Sequence, residues 1–153
     1  MKPFLLLITI TVFSIGYIKL VHGVYNYSLA ARIGFSVMLL FTALGHFMFT
    51  DGMAMMVPDF IPYKKELVYF TGIIEILGAI GLHVPQFKTA TASLLIIFFI
   101  LLLPANIKAS LEQIDYQNAT HEGNGPAYLW FRIPLQVLFI AWVYFSSINP
   151  KIM

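Results

Sequence analysis

Five stretches of this chain stay apolar for about as long as a helix needs to cross a hydrocarbon core, roughly 20 residues. They fall at about 3–22, 29–50, 66–83, 87–105 and 127–148, with short polar links between them. Backbone polar groups cannot go unpaired in lipid, so each stretch must close its hydrogen bonds within itself, as a helix does. Composition agrees. Hydrophobic residues fill 59% of the 153 positions and charged residues 10%, where a soluble domain carries about a quarter charged. The expected fold class is all-α, a transmembrane helix bundle with no soluble domain.

The first stretch has a second reading. Lys2 followed by the apolar run Phe4–Ile18 resembles the start of a signal peptide. No small-x-small cleavage site follows, because the chain continues Tyr17-Ile18-Lys19-Leu20. It is read as a retained helix. Pro104 should stop or kink the fourth stretch, having no N–H to give the helix ladder. The fifth follows the turn signal EGNGP at 122–126, ends near Asn149-Pro150, and carries Tyr128, Trp130, Trp142 and Tyr144 near its two ends, as an interfacial aromatic belt would.

Charge excludes some functions. The formal net charge of +2 is scattered, with no Lys/Arg cluster to hold a polyanion, so no nucleic-acid partner is expected. The absence of cysteine rules out disulfides, thiolate metal sites and a thiol relay made by this chain alone. An alternating five-pass path puts Lys19, Arg32, Lys88 and Lys151 on one side and Lys2, Lys64, Lys65 and Lys108 on the other. Four against four does not orient the protein by its basic residues. The long acid-bearing loops 51–66 and 106–126 share the second side, which is expected to face out.

Ionisable groups within lipid are costly and mark functional candidates. Glu75 lies among Ile73, Ile74, Ile76 and Leu77, roughly 13 Å along the helix from Glu66 at about 1.5 Å per residue. His46 lies near the end of the second stretch, Asn106 just after Pro104, and Arg132 and Gln136 one turn apart in the fifth. The up-and-down path brings all five into the same half of the bilayer. On the third stretch, Thr71, Gly78 and Ala79 share the Glu75 face, and small residues let helices approach closely. A Glu75–Arg132 pair is expected, with His46, Asn106 and Gln136 completing its hydrogen bonds.

A plainer account stands beside this one. Polar groups also hold membrane helices together, and Asn106 could simply cap a helix ended by Pro104. His22, His83 and His121 carry no assignment. No metal site is expected, because His46 and Glu75 have no partner at short helical spacing. Met53, Met55 and Met56 read as apolar packing on a surface loop rather than copper ligands.

The motifs GHF at 45–47, MVPDFIP at 56–62, GIIEILGAIGLHVP at 72–85, PAN at 104–106 and LWFRIPLQVLFIAW at 129–142 together resemble the DoxX-like membrane proteins. The resemblance covers about 29–148. It implies a four-helix membrane domain over 29–148, preceded by an additional N-terminal hydrophobic helix and linker at 1–28, in a multi-pass protein of a bacterial inner (cytoplasmic) membrane. The family's recurring polar positions correspond to His46, Glu75, Asn106, Arg132 and Gln136. It further implies an accessory subunit of a membrane redox assembly, binding a quinone or similar lipophilic molecule at this polar cluster. With no intrinsic cofactor and no cysteines, the chain would take electrons from a partner and would not be a complete enzyme by itself. Besides the bilayer, the implied partner is a membrane or redox protein, and a homo-oligomer is allowed. The competing expectation is an assembly or chaperone-like interaction protein whose polar cluster is architecture. A membrane enzyme using Glu75 and His46 as acid and base, and a transporter, rank below these.

Overall fold

The computed structural model describes residues 2–149, and Lys151 lies outside them. The chain forms seven helices over these residues: α1 (Lys2–His22), α2 (Tyr27–Met48), α3 (Thr50–Met56), α4 (Lys64–Gly81), α5 (Lys88–Leu101), α6 (Leu103–Leu111) and α7 (Leu129–Val143). A 3₁₀ turn at Pro126–Tyr128 leads into α7, and a π turn at Tyr144–Ile148 ends it. No strand occurs among the described residues.

Four helical stretches are long and apolar enough to span a membrane: Lys2–His22, Tyr27–Met48, Lys88–Leu111 and Pro126–Ile148. α4 carries Lys64, Lys65, Glu66 and Glu75 in its 18 residues, so it owes its place to packing more than to apolarity. α2 packs against α1, α4 and α7, and α5 packs against α4 and α7. The ring α2–α4–α5–α7 is therefore the four-helix bundle, with α1 laid against the outside of α2. Asn26 starts α2 by accepting a hydrogen bond from the Leu29 N–H, 3.0 Å.

The core is aromatic. Phe35, Phe99 and Phe139, from three different helices, meet with ring centroids 5.9–6.3 Å apart. Two of the contacts are edge-to-face, the arrangement ring quadrupoles favour. Outside the ring, Phe13, Leu20, Leu94 and Val137 are exposed, as side chains on the lipid side of a bundle are. Helix approach in such a medium depends on van der Waals fit at small residues. A Cβ at Gly34 would strike the Thr11 hydroxyl and the Leu7 carbonyl of α1. One at Gly72 would stand 2.9 Å from His46 Cβ.

Pro104 kinks the fourth stretch without ending it. Helical geometry breaks at Leu102 and resumes as α6, with the Asn106 N–H bonded to the Leu102 carbonyl at 3.1 Å. Asn106 consequently lies inside a helix and does not cap one. The loops at this end knit together: Phe49 meets Tyr116 edge-on at 6.0 Å, and Met56, Ala109 and Ile114 form a small core. Lys108 donates to Asp59 (2.8 Å) and to the Val57 carbonyl (3.1 Å), and Lys64 donates to the same carboxylate (2.6 Å). At the opposite end, Ser28 Oγ donates to the Ser146 carbonyl and Trp142 Nε1 to the Ala31 carbonyl, tying α2 to the last turns of the chain.

Candidate functional site

α2 and α4 cross at Gly72, and that close approach brings His46 onto the face of α4 that bears Val68, Thr71 and Glu75. His46 Nδ1 lies 3.1 Å from the Val68 carbonyl and 3.0 Å from Thr71 Oγ1. The Thr71 hydroxyl donates its one proton to the Val68 carbonyl, 2.8 Å. Both oxygens can therefore only accept from His46, which places a proton on Nδ1. In neutral imidazole, Nε2 is then a bare lone pair. It faces Glu75 Oε2 at 3.6 Å.

A neutral imidazole thus turns its acceptor nitrogen to the carboxyl group of Glu75 across a gap that no direct hydrogen bond closes. Both side chains are largely dry, at 12% exposure for His46 and 4% for Glu75. Glu75 Oε2 is fully buried and has no hydrogen-bond partner. At 3.6 Å the contact to His46 is electrostatic and falls outside hydrogen-bond range. Two groups that could serve as metal ligands stand here, and no third converges on them among the described residues.

The remaining predicted residues do not join this pair. Among the described residues no ion pair links Glu75 to Arg132, so the expected pairing is corrected. The Arg132 guanidinium lies over the Tyr128 ring, 5.8 Å from its centroid, in the 3₁₀ turn that leads into its own helix. The physical reason is that the shared depth read from the sequence fixes height in the bilayer and leaves the direction around each helix open. Asn106 and Gln136 form a second unit: Asn106 Nδ2 donates to Gln136 Oε1 (3.2 Å), and Gln136 Nε2 donates to the Phe99 carbonyl (2.6 Å). That unit ties the kinked α5–α6 segment to α7.

Sequence reasoning placed Thr71 on the Glu75 face but did not make it a partner of His46, and the Val68 carbonyl has no sequence signal. The His46–Thr71 spacing across two helices could have been found only by knowing the crossing point, for which Gly72 was the available clue.

Fold and site together define a multi-pass helical membrane protein with a buried imidazole–carboxyl pair between two of its bundle helices. Residues 35–147 match the family described as a domain of unknown function (DUF8561), and the chain belongs to that family. The matched region begins inside α2 and leaves α1 outside it. Comparison with curated proteins and with solved structures finds no match.

Proposed function

We propose that this protein is a DoxX-like accessory subunit of a membrane redox assembly, in a bacterial cytoplasmic membrane, and that His46 and Glu75 receive the head group of a quinone or similar lipophilic molecule. One observation carries the reading: Glu75 Oε2 is desolvated and one hydrogen bond short, beside a His46 ring held in one orientation by Val68 and Thr71. A buried acceptor without a donor is a costly arrangement for a fold to keep, and the hydroxyl of a hydroquinone supplies the missing donor. An imidazole–carboxyl pair accepts from a hydroxyl when unprotonated and donates to a carbonyl when protonated, and so answers either redox form of such a ligand. Electrons would pass through a partner protein. Arg132, Asn106 and Gln136 stand outside this smaller site and support it as architecture.

The test is native mass spectrometry of protein released from nanodiscs loaded with an isoprenoid benzoquinone or naphthoquinone. One quinone per chain on the wild type, lost in Glu75→Gln and His46→Ala while both remain folded, is the expected result. No retained quinone, or equal retention in all three proteins, overturns the reading.

A second reading has its own support. Two open grooves, one between α5 and α7 and one beside Asp51 and Lys64–Glu66, touch neither His46 nor Glu75, and the loops at the Asp51 end are knit into a cap. An assembly protein that presents this cap to another membrane protein would need the pair only as glue. Substitutions on the cap, such as Phe60→Ser (85% exposed), would then abolish partner capture while Glu75→Gln preserved it.

A further inference from the structure

All seven carboxylate side chains of the chain belong to one end of the bundle or to its mid-depth: Asp51, Asp59, Glu66, Glu75, Glu112, Asp115 and Glu122. The contacts of α3 with α6 and of Phe49 with Tyr116 show that their loops share that end. There Lys64 and Lys108 pair with Asp59 and Lys65 with Asp51. The opposite end gathers the α1–α2 link, the α4–α5 turn and the π turn, as the contacts Ser36–His83 and Ser28–Ser146 show. It holds Lys19, Arg32, His83 and Lys88 and, among the described residues, no side-chain carboxylate.

Among the described residues Lys19, Arg32 and Lys88 find no anion. Lys19 turns to the Gly23 carbonyl, 3.1 Å, and to the Tyr25 ring, 4.5 Å from its centroid. Arg32 Nε is buried and without a hydrogen-bond partner. Ser36 Oγ donates to the Ala79 carbonyl, 3.0 Å, and so accepts from His83 Nε2 at 3.0 Å. That hydroxyl is therefore already engaged by His83 and the Ala79 carbonyl. Lys88 opens α5, and one turn or so deeper begins an apolar groove between α5 and α7 lined by Ser93, Ile97, Val137, Ala141 and Phe145. The groove runs from the same end and is open on its outer side.

We infer that this end is a binding surface for anionic phospholipid, with Arg32, Lys88 and Lys19 meeting the phosphates and the groove below Lys88 taking an acyl chain. Both halves of the surface argue for a lipid over a free anion. The cations lie at headgroup depth, where each basic residue strengthens attachment to anionic lipid, and the bed beneath them is apolar. On this proposal the end that carries the surface belongs at the leaflet richer in anionic lipid, the cytoplasmic one, and the knit cap faces the other way.

The experiment places the full chain in nanodiscs of phosphatidylcholine mixed with phosphatidylglycerol and counts retained lipids by native mass spectrometry. Wild type should retain phosphatidylglycerol in preference to phosphatidylcholine. Lys88→Gln should weaken that preference by about fivefold, and Arg32→Gln with Lys88→Gln by more, whereas Lys88→Arg and the opposite-end variant Lys64→Gln should keep it. Unaltered α-helical circular dichroism and a single gel-filtration peak would show that the variants are folded. The proposal is overturned if the double variant keeps the preference, if Lys64→Gln loses as much as Lys88→Gln, or if millimolar glycerol phosphate displaces the lipid completely, which would mark a site for a soluble anion.

Discussion

His46 Nε2 faces Glu75 Oε2 across 3.6 Å, and the bonds on the other side of the imidazole fix that orientation. Nδ1 donates to Val68 and Thr71, so Nε2 is the nitrogen turned to the carboxyl group. Nitrogen-15 spectra of His46 should show Nδ1 protonated at neutral pH. A carbonyl-stretch difference between wild type and Glu75→Gln then reads whether the carboxyl group carries a proton. An Nε2–H tautomer with a bare Nδ1 would contradict the assignment.

The same pair predicts an energetic signature. Glu75→Gln keeps a donor for Nε2 and should cost little, whereas His46→Ala strands a buried carboxyl group and should cost about 1–3 kcal/mol. In a double-mutant cycle the two changes should couple by about 1 kcal/mol, within the range found for polar pairs between membrane helices. Reversible unfolding in mixed micelles measures this, and additive effects would deny the interaction.

How much of this was legible beforehand follows from what each residue's neighbours are. Apolar runs of bilayer length announced α1, α2, α5 and α7, and the same depth argument put His46 and Glu75 at one level. Depth is a one-dimensional quantity. It could not say that Arg132 turns to Tyr128 or that Asn106 turns to Gln136, because rotation about a helix axis depends on packing. The Phe35–Phe99–Phe139 core was hidden for a related reason: with apolar residues on every face, a lipid-embedded helix shows no moment that separates inside from outside. α3 and α6 were not legible as separate helices because packing places them: α3 lies mainly on α4, and α6 on α3 and α7, contacts between separate stretches of the chain.

The Asn106–Gln136 unit should behave as structure. Gln136→Leu removes the donor to the Phe99 carbonyl and the acceptor for Asn106, and should lower stability by about 1 kcal/mol. Its effect on quinone retention should be no larger than that loss of stability explains. A folded, stable Gln136→Leu protein that has lost its ligand would return this residue to the site.

Glycine positions separate close approach from open space. A Cβ at Gly52 would run into the Tyr116 carbonyl, whereas Gly16 has nothing within 4 Å. Gly52→Ala must push the 112–125 loop away from α3, and overpacking of this kind costs about 1–3 kcal/mol. Gly16→Ala removes a helix-interior glycine and should be neutral or stabilising by up to about 1 kcal/mol. Thermal unfolding of the two variants side by side should show opposite signs or, at the least, a loss confined to Gly52→Ala.

Asp59 supplies the pH dependence of the cap. Hydrogen bonds from Lys108 and then Lys64, reinforced by their charges, pull its carboxyl down from the ordinary 3.8 to about 2. A depressed acid stabilises the folded form fully above its unfolded value and loses that contribution as pH falls through its folded value. The cap should therefore hold from neutral pH to about 4 and loosen between 3.8 and about 2. Asp115, held below its usual range by Asn118 and the Gln117 N–H, titrates in the neighbouring loop, so the readout must be local. Hydrogen exchange of residues 57–64, corrected for intrinsic rates, should show a protection step in that window for wild type. In Asp59→Asn the step should vanish and protection at neutral pH should be lower. A wild-type step persisting unchanged in the variant would assign the transition to Asp115 and detach Asp59 from the cap.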